Sequence, residues 1–257
     1  MRWFINLEIN KIYNEDCLET MRRMDDSSVG FIFTSPLYNI RLNFRSKEGG
    51  YKPRSDSTRN KYMDNDDCLP MLEYYEMLKN RISEMLRVTS NYVFLNIQLL
   101  TGNKLALFKV IGNFAESLKE IIVWDKTSAE PSALDGVLNS EYEFILVFAK
   151  TGVPVRQFQD VMFKRGSVSN ILRIPKESNI YSGYHNAVMP QKLARTIVST
   201  FTKADDIIYD PFMGSGTTAI SCIKTGRSFI GSEISPKYCD IANKRIEQEL
   251  SQLKLQL

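Results

Sequence analysis

The chain of 257 residues is 43% apolar and 25% charged, long enough for one large α/β domain or two small ones with a real core. A net charge of +3 is too small to demand a nucleic-acid partner, and a single histidine, His185, argues against a histidine-based metal site. Four cysteines (Cys17, Cys68, Cys222, Cys239) show no C-x-x-C pair, no apolar run approaches bilayer length, and the short mixed stretch Met1 to Asn10 does not read as a signal segment, so a reducing cytoplasm is the expected compartment.

Short apolar runs alternate with helical patterns, which predicts a mostly parallel sheet flanked by helices. The first strand is expected at Lys11–Asn14 and the second at Val29–Thr34. That second run continues as "FIFTSPLYNI", where a buried strand ends in a proline, an aromatic residue and an amide. A strand-ending loop explains those ten residues on their own. A helix follows at Met71–Leu86, then strands at Asn91–Asn96, Glu120–Trp124 and Phe144–Ala149, a helix at Gln191–Thr202 and a strand at Ile207–Asp210. Thr217–Lys224 is expected to form a helix closed by Gly226, before a last strand at Phe229–Glu233.

Two segments break this rhythm. Arg41 to Lys61 carries seven basic residues, among them Arg41 and Arg45, against Glu48 and Asp56. Thr151 to Gly183 carries Arg156, Lys164, Arg165, Arg173 and Lys176 against Asp160 and Glu177. Both read as long, partly ordered loops, which compact domains seldom keep without a use.

"IIYDPFMGSGTTAISCIKTGRSFIGSEI" is the most informative stretch. A strand ends at Asp210, a tight loop carries Gly214 and Gly216, and a helix starts at Thr217. Glycines let backbone approach a ligand, and a helix N-terminus offers unpaired N–H groups. Glu233, at the end of the next strand, is placed to accept hydrogen bonds from both hydroxyls of a ribose. A plain turn between strand and helix remains an alternative. The stretch has Ala219 where a nicotinamide-type G-x-G-x-x-G loop needs its third glycine, and it lacks the Gly-Lys-Ser/Thr of a P-loop.

"DPFMGSGTT" with "GSEISPKYCDIANKRI" resembles the S-adenosylmethionine loop of amino-type (N4-cytosine or N6-adenine) DNA methyltransferases, and "TSPLYNI" resembles their S/D/N-P-P-Y/F catalytic motif. The catalytic motif precedes the cofactor loop, as in the permuted β group. Further segments in order ("INKIYNEDCLETM", "IIVWDK", "SEYEFILVFAK", "YHNAVMPQKLARTIV") extend the resemblance over nearly the whole chain. It implies a single methyltransferase domain. The sheet would be doubly wound, seven-stranded, mostly parallel and Rossmann-like, with an antiparallel hairpin at one edge (Glu120–Ala149) and the last strand beside the first.

The resemblance also implies methyl transfer from S-adenosylmethionine to an exocyclic amine of a base taken out of double-stranded DNA. Such a nitrogen has its lone pair delocalised into the ring, so acceptors must face its N–H bonds. Ser35 and the carbonyl of Pro36 would be those acceptors, with Tyr38 stacking on the base. No covalent enzyme intermediate is needed, and no cysteine follows a proline, against cytosine-C5 chemistry. Leu37 stands where the family has a second proline, which fixes the turn less firmly.

Cofactor contacts implied by the same resemblance are Asp16, Cys17, Lys192, Asp210, Pro211, Phe212, Gly214, Ser215, Gly216, Thr217, Glu233 and Ile234. Asp16 would read the adenine amino group, although a helix N-cap explains it equally well. Lys192 would meet the cofactor carboxylate, or be a solvated surface residue, and His185 is open between a structural bond and a cofactor contact. Arg41, Arg45, Arg165 and Arg173 are candidates for DNA contacts, the stretch at about 151–183 being a target-recognition insertion. By the pattern of the family it resembles, serine at position 35 leans towards cytosine N4 over adenine N6, although its hydroxyl can serve either amine. Methylation of RNA or a protein amide, and a DNA-binding relic weakened at Leu37, are the competing readings. Family members are often dimers and often work beside a restriction endonuclease, but no sequence feature settles either.

Overall fold

The structure, a computed structural model, describes residues 7–40, 43–45, 51–53, 67, 69–129, 135–150, 156–177 and 189–254. In chain order the elements are β1 (Lys11–Tyr13), α1 (Cys17–Arg22), β2 (Val29–Thr34), β3 (Asn43–Arg45), β4 (Tyr51–Pro53), α2 (Met71–Val88), β5 (Thr89–Ile97), α3 (Lys104–Asn113), β6 (Leu118–Asp125), β7 (Tyr142–Ala149), β8 (Ile171–Arg173), α4 (Gln191–Phe201), β9 (Ile207–Asp210), α5 (Thr217–Thr225), β10 (Ser228–Ser232) and α6 (Pro236–Lys254). Eight strands form one sheet in the order β1-β10-β9-β2-β5-β7-β6-β8, and β3 pairs with β4 separately. Neighbours from β1 to β5 are parallel, whereas β7 runs antiparallel to both β5 and β6.

Alternation along the strands explains why both faces are covered. Phe31 and Phe33 of β2 join a core with Leu193, Ile197 and Phe201 of α4 and Ile220 of α5. Ile32, between them, joins the opposite core with Met21 of α1, Leu78 and Ile82 of α2 and Leu107 of α3. With period two, a strand of continuous apolar residues feeds both layers, as parallel sheets require.

The sequence reading placed one strand too few in the large sheet and did not expect the separate β3-β4 pair. β8 adds an eighth by pairing in parallel with β6, so the antiparallel hairpin lies inside the edge. Three residues carry too little periodicity to reveal such a strand. The second basic segment is correspondingly less of a loop than expected. Phe158 packs near Tyr92 at 5.3 Å and Phe201 at 5.4 Å between ring centroids, and Phe163 also meets Phe201. Arg41, His185 and the remaining parts of both basic segments lie outside the described residues; Arg45 is described only as backbone of β3.

Candidate active site

Four parallel strands, β1, β10, β9 and β2, lie side by side and end on the same edge of the sheet. Residues just beyond them therefore meet, although Asp16, Ser35, Asp210 and Glu233 are far apart in sequence. In open parallel sheets this crevice outside the strand ends is where ligands bind. Here it is a cavity of about 350 Å³ whose wall includes Asp16, Cys17, Ser35, Leu37, Asp210, Pro211, Phe212, Gly214, Ser215, Thr217, Glu233 and Ile234. That size holds a nucleoside-sized molecule.

The glycine loop is held from several sides. Glu233 accepts from the Gly214 N–H at 2.8 Å through one carboxylate oxygen and from the Ser235 N–H at 2.9 Å through the other. Burial raises its pKa, partly opposed by those two amides. Gly216 sits at φ 86° as the N-cap of α5, where an added Cβ would come within 2.9 Å of the Ala242 Cβ on α6. A side chain there is excluded by both backbone conformation and space. No side chain caps α5. The first N–H groups of a helix have no partner within it, so this helix start suits a polar ligand. Asp210 accepts from the Thr34 hydroxyl at 2.6 Å and the Phe212 N–H at 3.0 Å, and burial pushes its carboxyl up to about 6.

On the β1 side Asp16 does two things. One oxygen caps α1 through the Leu18 N–H at 2.8 Å, and the other pairs with Arg81 of α2 at 2.7 Å. The Arg81 Nε is buried without a hydrogen-bond partner among the described residues, although the residue lies on the cavity wall. Cys17 is buried, which pushes its thiol up to about 12 and makes it a packing group.

The turn after β2 is pinned by distant side chains. Tyr74 donates to the Leu37 carbonyl at 2.6 Å, and the Asn103 amide donates to the Tyr38 carbonyl at 2.7 Å. Asn39, at φ 54°, bonds the carbonyls of Leu69 and Gly102, each at 3.0 Å, and accepts from the Leu69 N–H at 2.7 Å. The Tyr38 hydroxyl meets Ser35 Oγ at 2.9 Å, Asn96 Nδ2 at 2.7 Å and Glu143 Oε2 at 2.8 Å.

Comparison with known proteins places this arrangement. The profile of the N6/N4 DNA methylases, described as DNA methylase, matches residues 29–244. The chain belongs to the N6/N4 DNA methylase family. It is 41% identical over 102 residues to the orphan methyltransferase M.BamHII of Bacillus amyloliquefaciens, a stretch that is 37% of this chain and 38% of the relative. It is 26% identical over 257 residues to the type II methyltransferase M2.MboI of Moraxella bovis, covering 95% of this chain and 89% of that protein. Among solved structures, the cytosine-N4-specific PvuII DNA methyltransferase superposes with a TM-score of 0.68 at 19% identity, over 94% of this chain and 91% of that one. Against M1.HpyAVI in complex with SAM the TM-score is 0.63 at 21% identity, covering 92% and 98%.

Several residues expected at the site lie elsewhere in this family member. Lys192 is exposed on α4 and absent from the cavity wall; its own N–H bonds Glu177 at 2.9 Å. Gly216 shapes the loop from behind the wall, and Pro36 is buried off it. Tyr38 does not present an open aromatic face. Its ring is buried in the core with Ile32, Leu95 and Ile97, and its hydroxyl is tied into the network above. Arg165 is exposed, and Arg173, exposed on β8, lies 3.5 Å from Asp125. Residues that sequence reasoning missed include Arg81, Tyr74, Met189 and Tyr238 on the wall, and Asn96 and Glu143 behind it. Glu143 lies in "SEYEFILVFAK", a segment whose family resemblance implies no role for it. Only pairing of β7 with β5 brings it beside Asn96.

Proposed function

We propose that this DNA methylase transfers a methyl group from S-adenosylmethionine to an exocyclic amine of a base in double-stranded DNA, with cytosine N4 favoured. The carrying observation is that Ser35 and the Gly214 loop, 179 positions apart (214 − 35), line one cavity. The donor set fits the cofactor: a carboxylate at Glu233, an uncapped helix start at Thr217, a loop whose Gly216 leaves no room for a side chain, and apolar wall from Phe212 and Met213. When bound, S-adenosylmethionine supplies a methyl group already activated by its sulfonium, so the protein mainly positions and polarises.

Glu233 would hold the ribose hydroxyls, with the Gly214–Thr217 turn and Asp16 closing around the rest of the nucleoside. Ser35 would accept from an amine N–H, moving electron density back onto nitrogen. Such an amine is paired inside a duplex, so the base must leave the stack to reach Ser35. By the family pattern, serine in the first motif position favours cytosine. Incubation with labelled S-adenosylmethionine and unmethylated duplex DNA, then mass spectrometry of the nucleosides, should give N4-methylcytosine. N6-methyladenine would move the assignment to the other base, and label in RNA or protein alone would sink it.

A further inference from the structure

Glu143 lies outside the cavity, yet it is connected to Ser35 through one shared hydroxyl. Hydrogen-bond counting around that hydroxyl fixes a direction. A tyrosine has one proton to give and two lone pairs. Tyr38 gives its proton to Glu143 Oε2 at 2.8 Å. Asn96 donates to the same carboxylate oxygen at 2.8 Å and to the Tyr38 oxygen at 2.7 Å. The amide must present its NH2 here, because both atoms it faces are acceptors towards it. With its proton committed to Glu143, Tyr38 can meet Ser35 at 2.9 Å only as an acceptor, so Ser35 is the donor of that bond.

The consequence falls on the cavity. Ser35 uses its only proton inward, on Tyr38, and both its lone pairs remain for a ligand. We infer that Glu143 is a positioning residue that locks Ser35 as a hydrogen-bond acceptor, making the site selective for a substrate atom that carries N–H. The Lys126 ammonium, buried and 3.6 Å from the other Glu143 oxygen, supplies the counter-charge that lets a carboxylate stay at this depth. Asn96 Oδ1 is buried without a partner among the described residues, consistent with an amide held in place for the sake of its NH2 side.

The inference rests on the methyltransferase reading and refines it. A free serine rotates and offers its proton as readily as its lone pairs, which would face an amine N–H with another hydrogen. Pinned by Tyr38 and Glu143, Ser35 presents the polarity an exocyclic amine needs before any substrate arrives.

A double-mutant cycle tests this. Glu143→Gln offers Tyr38 a donor as well as an acceptor, so Tyr38 can turn its proton to Ser35 and Ser35 its own to the cavity. The full-length variant should lose ~tenfold or more in kcat, the scale of a charged hydrogen bond, with the S-adenosylmethionine dissociation constant unchanged. In a Ser35→Ala background, the same substitution should change kcat by less than about twofold, since the group being oriented is gone. Tyr38→Phe keeps the ring and removes the connecting hydroxyl; it should reproduce the Glu143→Gln loss and stands in if that variant misfolds. Losses that multiply across the cycle, with the wild type active, overturn the inference alone. A wild type that methylates no DNA overturns the methyltransferase reading, and the inference with it.

Discussion

The two ends of the cavity are built differently. At the glycine loop most contacts are short in sequence, Gly214 to Glu233, Asp210 to Phe212 and Glu233 to Ser235, with Thr34 on Asp210 and Arg245 on Ser215 the long-range exceptions. At the Ser35 turn every restraint but the Ser35–Tyr38 contact comes from afar. Tyr74, Asn96, Asn103 and Glu143 reach back 37 to 105 positions. A short motif can specify the first region because its glycines and carboxylates act on neighbouring backbone. The second is specified by packing, so a motif residue there can change while the geometry persists. Leu37 shows this: the Tyr74 hydroxyl on its carbonyl and the Asn103 amide on the next one fix the turn that a second proline would otherwise stiffen.

The sharpest way to separate the two ends is to damage each and ask which quantity moves. Ser35→Ala should lower kcat by about a hundredfold or more, the cost of losing one aimed polar partner at a reacting centre, with little change in cofactor dissociation constant. Equal loss of both would merge the two regions into one binding unit.

Asp210 gives the next effect, in stability. Its folded-state pKa of about 6 lies above the ordinary carboxylate value, so the folded protein holds this proton more tightly than the unfolded chain. Stability from this group is therefore complete below roughly pH 4 and lost as pH rises through about 6, by up to ~3 kcal/mol. Asp210→Asn keeps the acceptor for Thr34 and Phe212 and should raise the melting temperature at pH 8, with the difference vanishing near pH 4. A constant difference across that range would show that burial is not what Asp210 pays for.

Glu233→Gln should weaken S-adenosylmethionine about tenfold, one charge-assisted hydrogen bond's worth, and leave kcat at saturation nearly intact; calorimetry and kinetics together check it. The smallest effect is expected from Tyr74→Phe, about 1 kcal/mol of stability and a few-fold in kcat. Leu37→Pro should restore the kcat lost by Tyr74→Phe. Failure to restore it would mean that the two do not do the same job.

The sequence alone determined the alternation of strands and helices, because period-two and 3.6-residue apolar patterns follow from local backbone geometry. It also marked the glycine loop and Glu233 by their own spacing, whereas the Ser35 turn stood out only through the family resemblance. The three-residue strand β8 was too short to leave a pattern. Tyr38 was misjudged as an open ring because nothing near "TSPLYNI" says that Asn96 and Glu143 will claim its hydroxyl and draw the ring into the core. Lys192 is open in the sequence between a cofactor contact and a solvated surface position; the helix turns it to solvent and sends Gln191 to Ser221 on α5, at 2.6 Å. Tertiary structure decided these points because they depend on which strands lie side by side, and hydrogen-bond partners recruited across a sheet leave no trace in local spacing.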